Sequence, residues 1–208
     1  MAAYGRPALR DLFDESPTPH IAHPPRTHHR DYYVASDGSF TRSGGGLGAV
    51  IERRDGSRIA RVAMPDTPPD NNVAEYRALH LALDRLAAHA SPRARVGVLV
   101  DHDDLAGNVN SAVLAAQRPG GDPREAVSLP TTTRHHWRGI RARLRGFEAI
   151  RAASIHSDQN PAHPLANDPE SYSHVDDPTP ARGIRHDDAP TQVPPPSRAD
   201  RHDGPAGD

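Results

Sequence analysis

One hexapeptide constrains the chain more than any other feature. Arg95-Val96-Gly97-Val98-Leu99-Val100 is nearly all apolar and rich in β-branched side chains. Such a run reads as a buried strand rather than one with a wet side. It stops at Asp101, so a carboxylate emerges at the strand's end. A strand of this kind belongs in a sheet with helices packed on its faces.

The neighbouring segments supply the rest of that sheet. Tyr32-Tyr33-Val34-Ala35 is a β-rich run ending at Ser36-Asp37-Gly38. After a flexible Gly44-Gly45-Gly46, Leu47-Gly48-Ala49-Val50-Ile51 forms a second strand, and Asp55-Gly56 is a strong hairpin signal returning into a third over 59–64. Val73, Tyr76, Leu79, Leu83 and Leu86 recur at helical spacing behind the capping residues Asp70, Asn71 and Asn72. Leu105, Val109, Ala112, Val113 and Ala116 mark a second helix. The Pro- and Gly-rich stretch 117–133 is a loop, and Trp137, Ile140, Leu144 and Phe147 form a third helical stripe. A last strand over 150–155 and a short helix or turn over 162–166 complete the order β-β-β-α-β-α-α-β-α. This is an α/β fold: a mixed five-stranded sheet, antiparallel first and parallel after, with helices on both faces.

Two arms flank this segment. Residues 1–30 contain five Pro and one short apolar patch, Leu9, Leu12 and Phe13, too little to offset the entropy of ordering. They read as a disordered arm, with a docking peptide around Leu9–Phe13 as the alternative. Residues 168–208 read as a disordered acidic tail, with nine acidic residues against four Arg. The remainder carries eighteen acidic residues and twenty-one Arg, so a mildly basic body is joined to an acidic tail. Every basic side chain is Arg; biased codon usage is the plainer explanation, although the flat guanidinium does suit phosphate oxygens. With no Cys, disulfides and thiolate metal sites are excluded. No apolar run reaches the ~20 residues of a membrane span. The N-terminus lacks the layout of a secretion signal, so the expected location is cytoplasmic.

Asp37 and Asp101 share a context, each following a buried strand, at the edge where α/β sheets bind ligands. Glu75 lies in the first turn of the first helix. Singly, these acids are a turn residue, a cap and a dipole-favourable acid. Together, on successive elements, they form a pattern. Ser36-Asp37-Gly38-Ser39, Gly46-Leu47-Gly48-Ala49-Val50-Ile51, Asn72-Val73-Ala74-Glu75-Tyr76-Arg77-Ala78-Leu79, Val98-Leu99-Val100-Asp101 and Asn160-Pro161-Ala162-His163-Pro164-Leu165-Ala166 resemble the type 1 ribonuclease H family. The resemblance spans about two-thirds of the chain. It implies a ribonuclease H-like domain over 31–167 in which Asp37, Glu75 and Asp101 bind Mg²⁺. Two such ions activate a water and stabilise the leaving oxygen. The implied activity is hydrolysis of the RNA strand of an RNA–DNA hybrid, recognised through its 2′-hydroxyls.

The last block departs from the family pattern. The family places Asp as a fourth carboxylate where this chain has His163, with one residue fewer before it. Imidazole suits Mn²⁺ better than Mg²⁺. His163 is therefore the expected fourth catalytic and metal-site residue, with Mn²⁺ a possible ion, unless Asp168 reaches in from further along. For substrate, the expectation is Ser39 and Asn72 near the acids, and Arg138, Arg141 and Arg145 as a phosphate track with Arg134 on the third helix. An ordinary solvated helix face is the plain alternative for that track. His156 is either a proton shuttle or a simple loop residue. The fourteen His show no zinc spacing. The expected protein is a monomeric nuclease acting on an RNA–DNA hybrid or other nucleic acid, away from membranes. The alternative is a nucleic-acid-binding module of the same fold with weak or no turnover.

Overall fold

Alternation of side chains along the central strands sends two apolar sets to opposite faces of one sheet, and the helices divide between them. The computed structural model describes residues 7–122 and 126–172. The elements run α1 (Leu9–Glu15), β1 (Tyr32–Thr41), β2 (Gly44–Arg53), β3 (Arg58–Asp66), α2 (Asn71–Ala87), β4 (Arg95–Val100), α3 (Asp103–Gln117), α4 (Arg134–Leu144), β5 (Ala149–Ser154) and α5 (His163–Asn167). Single 3₁₀ turns lie at Thr131–Thr133 and Pro169–Ser171.

The sheet order is β3-β2-β1-β4-β5. The β1–β2 and β2–β3 pairs are antiparallel; β1–β4 and β4–β5 are parallel. Gly56 turns the β2–β3 hairpin at φ +82°, a conformation other residues resist. Asp70 caps α2, its carboxylate accepting from the Val73 N–H at 2.8 Å. On one face, Val34, Val96, Val98, Val100 and Ala152 pack under α2, α3 and α4 through Tyr76, Leu79, Leu83, Leu105, Val109, Trp137 and Ile140. On the other, Tyr33, Ala35, Leu99 and Ala153 pack under α1 and α5. Among the described residues, no helix is long and apolar enough to cross a membrane.

Three expectations need correction. The first strand does not end at Ser36-Asp37-Gly38; β1 continues to Thr41, with Asp37 paired to Gly48 and Gly38 to Leu47. The Gly44-Gly45-Gly46 run is not a flexible link but the start of β2.

The third correction concerns the N-terminal arm, which is ordered from residue 7 through 30. Leu9 and Phe13 are fully buried. The Phe13 ring packs edge-on against Tyr33 at 5.6 Å. Gly97 makes room for both rings: a Cβ there would sit 2.9 Å from Tyr33 and 3.1 Å from Phe13. The Leu9 N–H donates to Glu52 at 2.8 Å, the Ser154 N–H to the Pro17 carbonyl at 2.9 Å, and the Asn110 amide to the Pro19 carbonyl at 2.7 Å. A patch too small to fold alone is stabilised by a pocket already built in the sheet. The docking segment expected to seek a partner's groove docks on its own chain. The acidic tail beyond residue 172 lies outside the described residues.

Phe13→Ala is expected to destabilise the fold by about 3 kcal/mol in urea unfolding, the usual cost of emptying a buried aromatic site. A disordered arm would leave the midpoint unchanged. A second expectation comes from His136, buried between α4 and α2. Burial, then Arg77, His135 and His80, push its imidazole down to about 4. The unfolded ring takes its proton first, near 6.5, so this residue's contribution is complete above pH 6.5 and is lost as pH falls towards about 4. His136→Gln should therefore gain stability relative to wild type between pH 7 and pH 5, measured by thermal melts of the two proteins at each pH.

Candidate active site

β1 and β4 run paired from Tyr32–Val96 to Ala35–Leu99 and then part. Beyond that point β1 keeps only β2 as a partner, while β4 continues along β5 to the Val100–Ser154 pair. Asp37 and Asp101 each lie two residues past the last shared pair. Both carboxylates therefore enter the same gap, the kind of switch point at which α/β sheets hold ligands.

Glu75 comes to this gap from α2. The Gly38 N–H donates to its carboxylate at 3.3 Å. A Cβ on Gly38 would stand 2.2 Å from the carbonyl carbon of Ala74, so only glycine lets the start of α2 lie this close to β1. His163 arrives from the opposite face, as the first residue of α5. Asn160 anchors its turn: the buried amide donates to the Ser36 carbonyl at 2.9 Å and accepts from the Ala162 N–H at 3.0 Å. Gly48 permits the approach, since a Cβ there would meet the Ala162 carbonyl at 2.3 Å.

The result is a cluster in which Asp37, Asp101 and His163 offer ligand atoms that all lie within 4.8 Å of one another. His163 Nδ1 is 3.0 Å from Asp37 Oδ2, and the Asn167 amide nitrogen lies 2.9 Å from its Nε2. Burial and the neighbouring Asp101 raise the Asp37 carboxyl to about 7, against the lowering effect of His163. Glu75 is pushed higher, to about 10, by burial and by Asp101 and Asp37. Asp101 Oδ1 is buried with no hydrogen-bond partner. Three acids that repel one another and a buried oxygen lacking a donor fit a hard divalent cation, which would supply the missing positive charge.

Asp37, Glu75, Asp101 and His163 are thus brought together. Asp168 is not: it is exposed beyond the end of α5 and borders a separate cavity with Thr41, Asp66 and Glu170. Ser39 is also unsuited to its expected role. Its hydroxyl donates to the Ala166 carbonyl at 2.6 Å and accepts from the Gly46 N–H at 3.0 Å, so it fastens α5 to the β1–β2 hairpin. Asn72 stands half-buried in the first turn of α2, its carbonyl oxygen 2.9 Å from His102 Nε2. Arg134, Arg138 and Arg141 line a cavity of about 720 Å³ with Trp137, Val127 and Leu129. Trp137 leans edge-on against Tyr76 of α2 at 6.2 Å. Arg145 does not share it; with Arg141 it borders a smaller cleft between α3 and β5. His156 is an exposed turn residue after β5. The anchoring roles of Asn160, Asn167 and His102 were not assigned from sequence, although each lies within four residues of an acid or of His163.

No protein-family model matches the sequence, and no curated protein matches it either. Solved structures do. The N-terminal RNase H domain of rv2228c from Mycobacterium tuberculosis, solved as a fusion with maltose binding protein, superposes with a TM-score of 0.51 at 22% identity. That alignment covers 66% of this chain and 96% of the other. The fold is ribonuclease H-like. The foamy viral protease-reverse transcriptase in complex with RNA/DNA hybrid also matches, with a TM-score of 0.50 and 16% identity over 73% of this chain and 21% of that one. RNase H1 from the halophilic archaeon Halobacterium salinarum NRC-1 aligns at 22% identity and a TM-score of 0.49, over 67% of this chain and 97% of its own. At these identities the likeness is one of fold. Within it, this ribonuclease H-like domain carries an imidazole beside three carboxylates, and an N-terminal segment that covers part of the second face.

Removing one of the repelling charges should stabilise the metal-free protein. Asp37→Asn is expected to raise its melting temperature by a few degrees, on the order of 1–2 kcal/mol, because a buried like-charge contact is relieved. The same substitution should abolish any rise in melting temperature that Mn²⁺ gives the wild type. Thermal melts with EDTA and with Mn²⁺ check both.

Proposed function

We propose that this chain is a metal-dependent endonuclease that hydrolyses the RNA strand of RNA–DNA hybrids, acting as a monomer in the cytoplasm. The observation that carries the reading is the convergence of Asp37, Glu75, Asp101 and His163 at the point where β1 and β4 part. Asp37, Asp101 and His163 would hold a divalent cation, with Glu75 beside them to share a second. Such ions polarise a phosphodiester and lower the pKa of a water that attacks it in line. The protein's own part is to keep three carboxylates unscreened in one gap, and to hold His163 through Asn160 and Asn167 so that its ring stays aimed at Asp37.

The ion is Mg²⁺ or Mn²⁺. The nitrogen ligand in a position where the family has an oxygen favours Mn²⁺, since imidazole is a softer donor. The relative solved with an RNA/DNA hybrid supports the substrate class. The cavity lined by Arg134, Arg138 and Arg141 supports contact with a polyanion backbone. The same His163 favours one second reading: a hybrid-binding module whose turnover is weak.

Cleavage of a labelled hybrid by the full chain in Mg²⁺ and in Mn²⁺ separates the two. The nuclease reading expects faster cleavage in Mn²⁺ and a loss of at least 100-fold on Asp101→Asn, with hybrid affinity largely kept. Binding without cleavage in either ion would favour the module. Replacing both Arg138 and Arg141 by Ala should weaken binding and flatten its dependence on salt by about two phosphate contacts, read as the slope of log affinity against log salt.

A further inference from the structure

His102, the residue after Asp101, makes three contacts that tie α3 to α2. His102 is the N-cap of α3, its Nδ1 accepting from the Leu105 N–H at 3.2 Å. An imidazole whose Nδ1 accepts in this way carries its proton on Nε2. Nε2 therefore donates to the Asn72 side-chain oxygen 2.9 Å away. The ring also meets Tyr76 edge-on, at 6.3 Å and 85°. Asn72 and Tyr76 stand four residues apart on α2, so they share a face, with Glu75 between them.

The consequence falls on Asn72. An amide has one oxygen and one nitrogen end, and nothing in its shape decides which end faces out. Here the oxygen is committed to His102, so the amide nitrogen turns away from it. Asn72 is half-buried, and the end its bond to His102 leaves over is a pure donor, two N–H groups with no acceptor. Beside a cluster of carboxylates, such a group suits an unesterified phosphate oxygen, which only accepts. Tyr76 is held in turn: its hydroxyl accepts from the Asn108 amide at 3.0 Å, and Asn108 also bonds the backbone of Ser128 at 2.8 and 3.1 Å. The ring of His102 thus rests on a fixed surface rather than on a mobile one.

We infer that His102 is a positioning residue that locks the Asn72 side chain with its N–H donors presented to a backbone phosphate of the bound nucleic acid. The inference rests on the nucleic-acid reading of the site and adds to it how one contact is oriented. It assigns His102 to affinity rather than to the bond-breaking step.

His102→Ser separates this role from the capping of α3, because serine is a good N-cap but cannot reach Asn72. The experiment compares wild type, His102→Ser, Asn72→Ala and the double variant of the full chain in Mn²⁺, with hybrid concentration varied to obtain KM and kcat. The expected result is a rise in KM of about tenfold for either single variant, the effect of one lost charge-assisted hydrogen bond. The double variant should be no worse than Asn72→Ala alone. Nitrogen NMR of the wild-type ring should show His102 protonated at Nε2 and bare at Nδ1. A His102→Ser KM equal to wild type, additive losses in the double variant, or a ring protonated at Nδ1 would each overturn the inference. Wild type that binds no hybrid would instead remove the nucleic-acid reading, and this contact with it. That outcome is distinguished by the wild-type measurement alone.

Discussion

Like charges held together out of water set the terms for this molecule. Burial and Asp101 raise the proton affinity of Asp37, burial with Asp101 and Asp37 raises that of Glu75, and Asp101 keeps a buried oxygen with no donor. A chain selected only for stability would not gather them, since each buried charge without a partner costs several kcal/mol. The rest of the structure works to keep them together. Two glycines do most of this. Gly38 lets α2 touch β1, and Gly48 lets the turn before α5 lie on β2. A methyl group at either position would push apart the elements that carry Glu75 and His163.

His163 changes the character of the cluster. A fourth carboxylate would add repulsion; the imidazole instead lies 3.0 Å from Asp37 and lowers its proton affinity. The metal-free site is thereby less strained than a four-acid site would be, and its ligand set is softer. Both effects point the same way, towards a centre less dependent on a hard cation for its integrity and more receptive to a borderline one.

Much of this was legible in the sequence, for physical reasons that differ by element. The buried run at Val96–Val100 and the heptad-like stripe of α2 follow directly from periodicity, and the structure keeps both. Asp37, Glu75 and Asp101 were found because each sits at a recognisable place on an element. What stayed hidden depends on contacts between distant segments. The ordering of residues 7–30 needs the hole above Gly97, which no local pattern reveals. The engagement of Ser39 by Ala166 spans 127 residues, and a hydroxyl beside an active-site motif looks like a substrate contact until its partners are known. The Arg series on α4 read as one track, but the turn of the helix assigns Arg145 to a different cleft.

The central claim is spatial: Asp37, Asp101 and His163 share one divalent ion, with Glu75 beside them. Diffraction from crystals soaked in Mn²⁺, recorded where manganese scatters anomalously, tests it most directly. The account predicts an anomalous peak in the gap between β1 and β4, about 2–2.3 Å from oxygens of Asp37 and Asp101 and from a nitrogen of His163. A gap without a peak, or with these side chains turned away from one another, would contradict it.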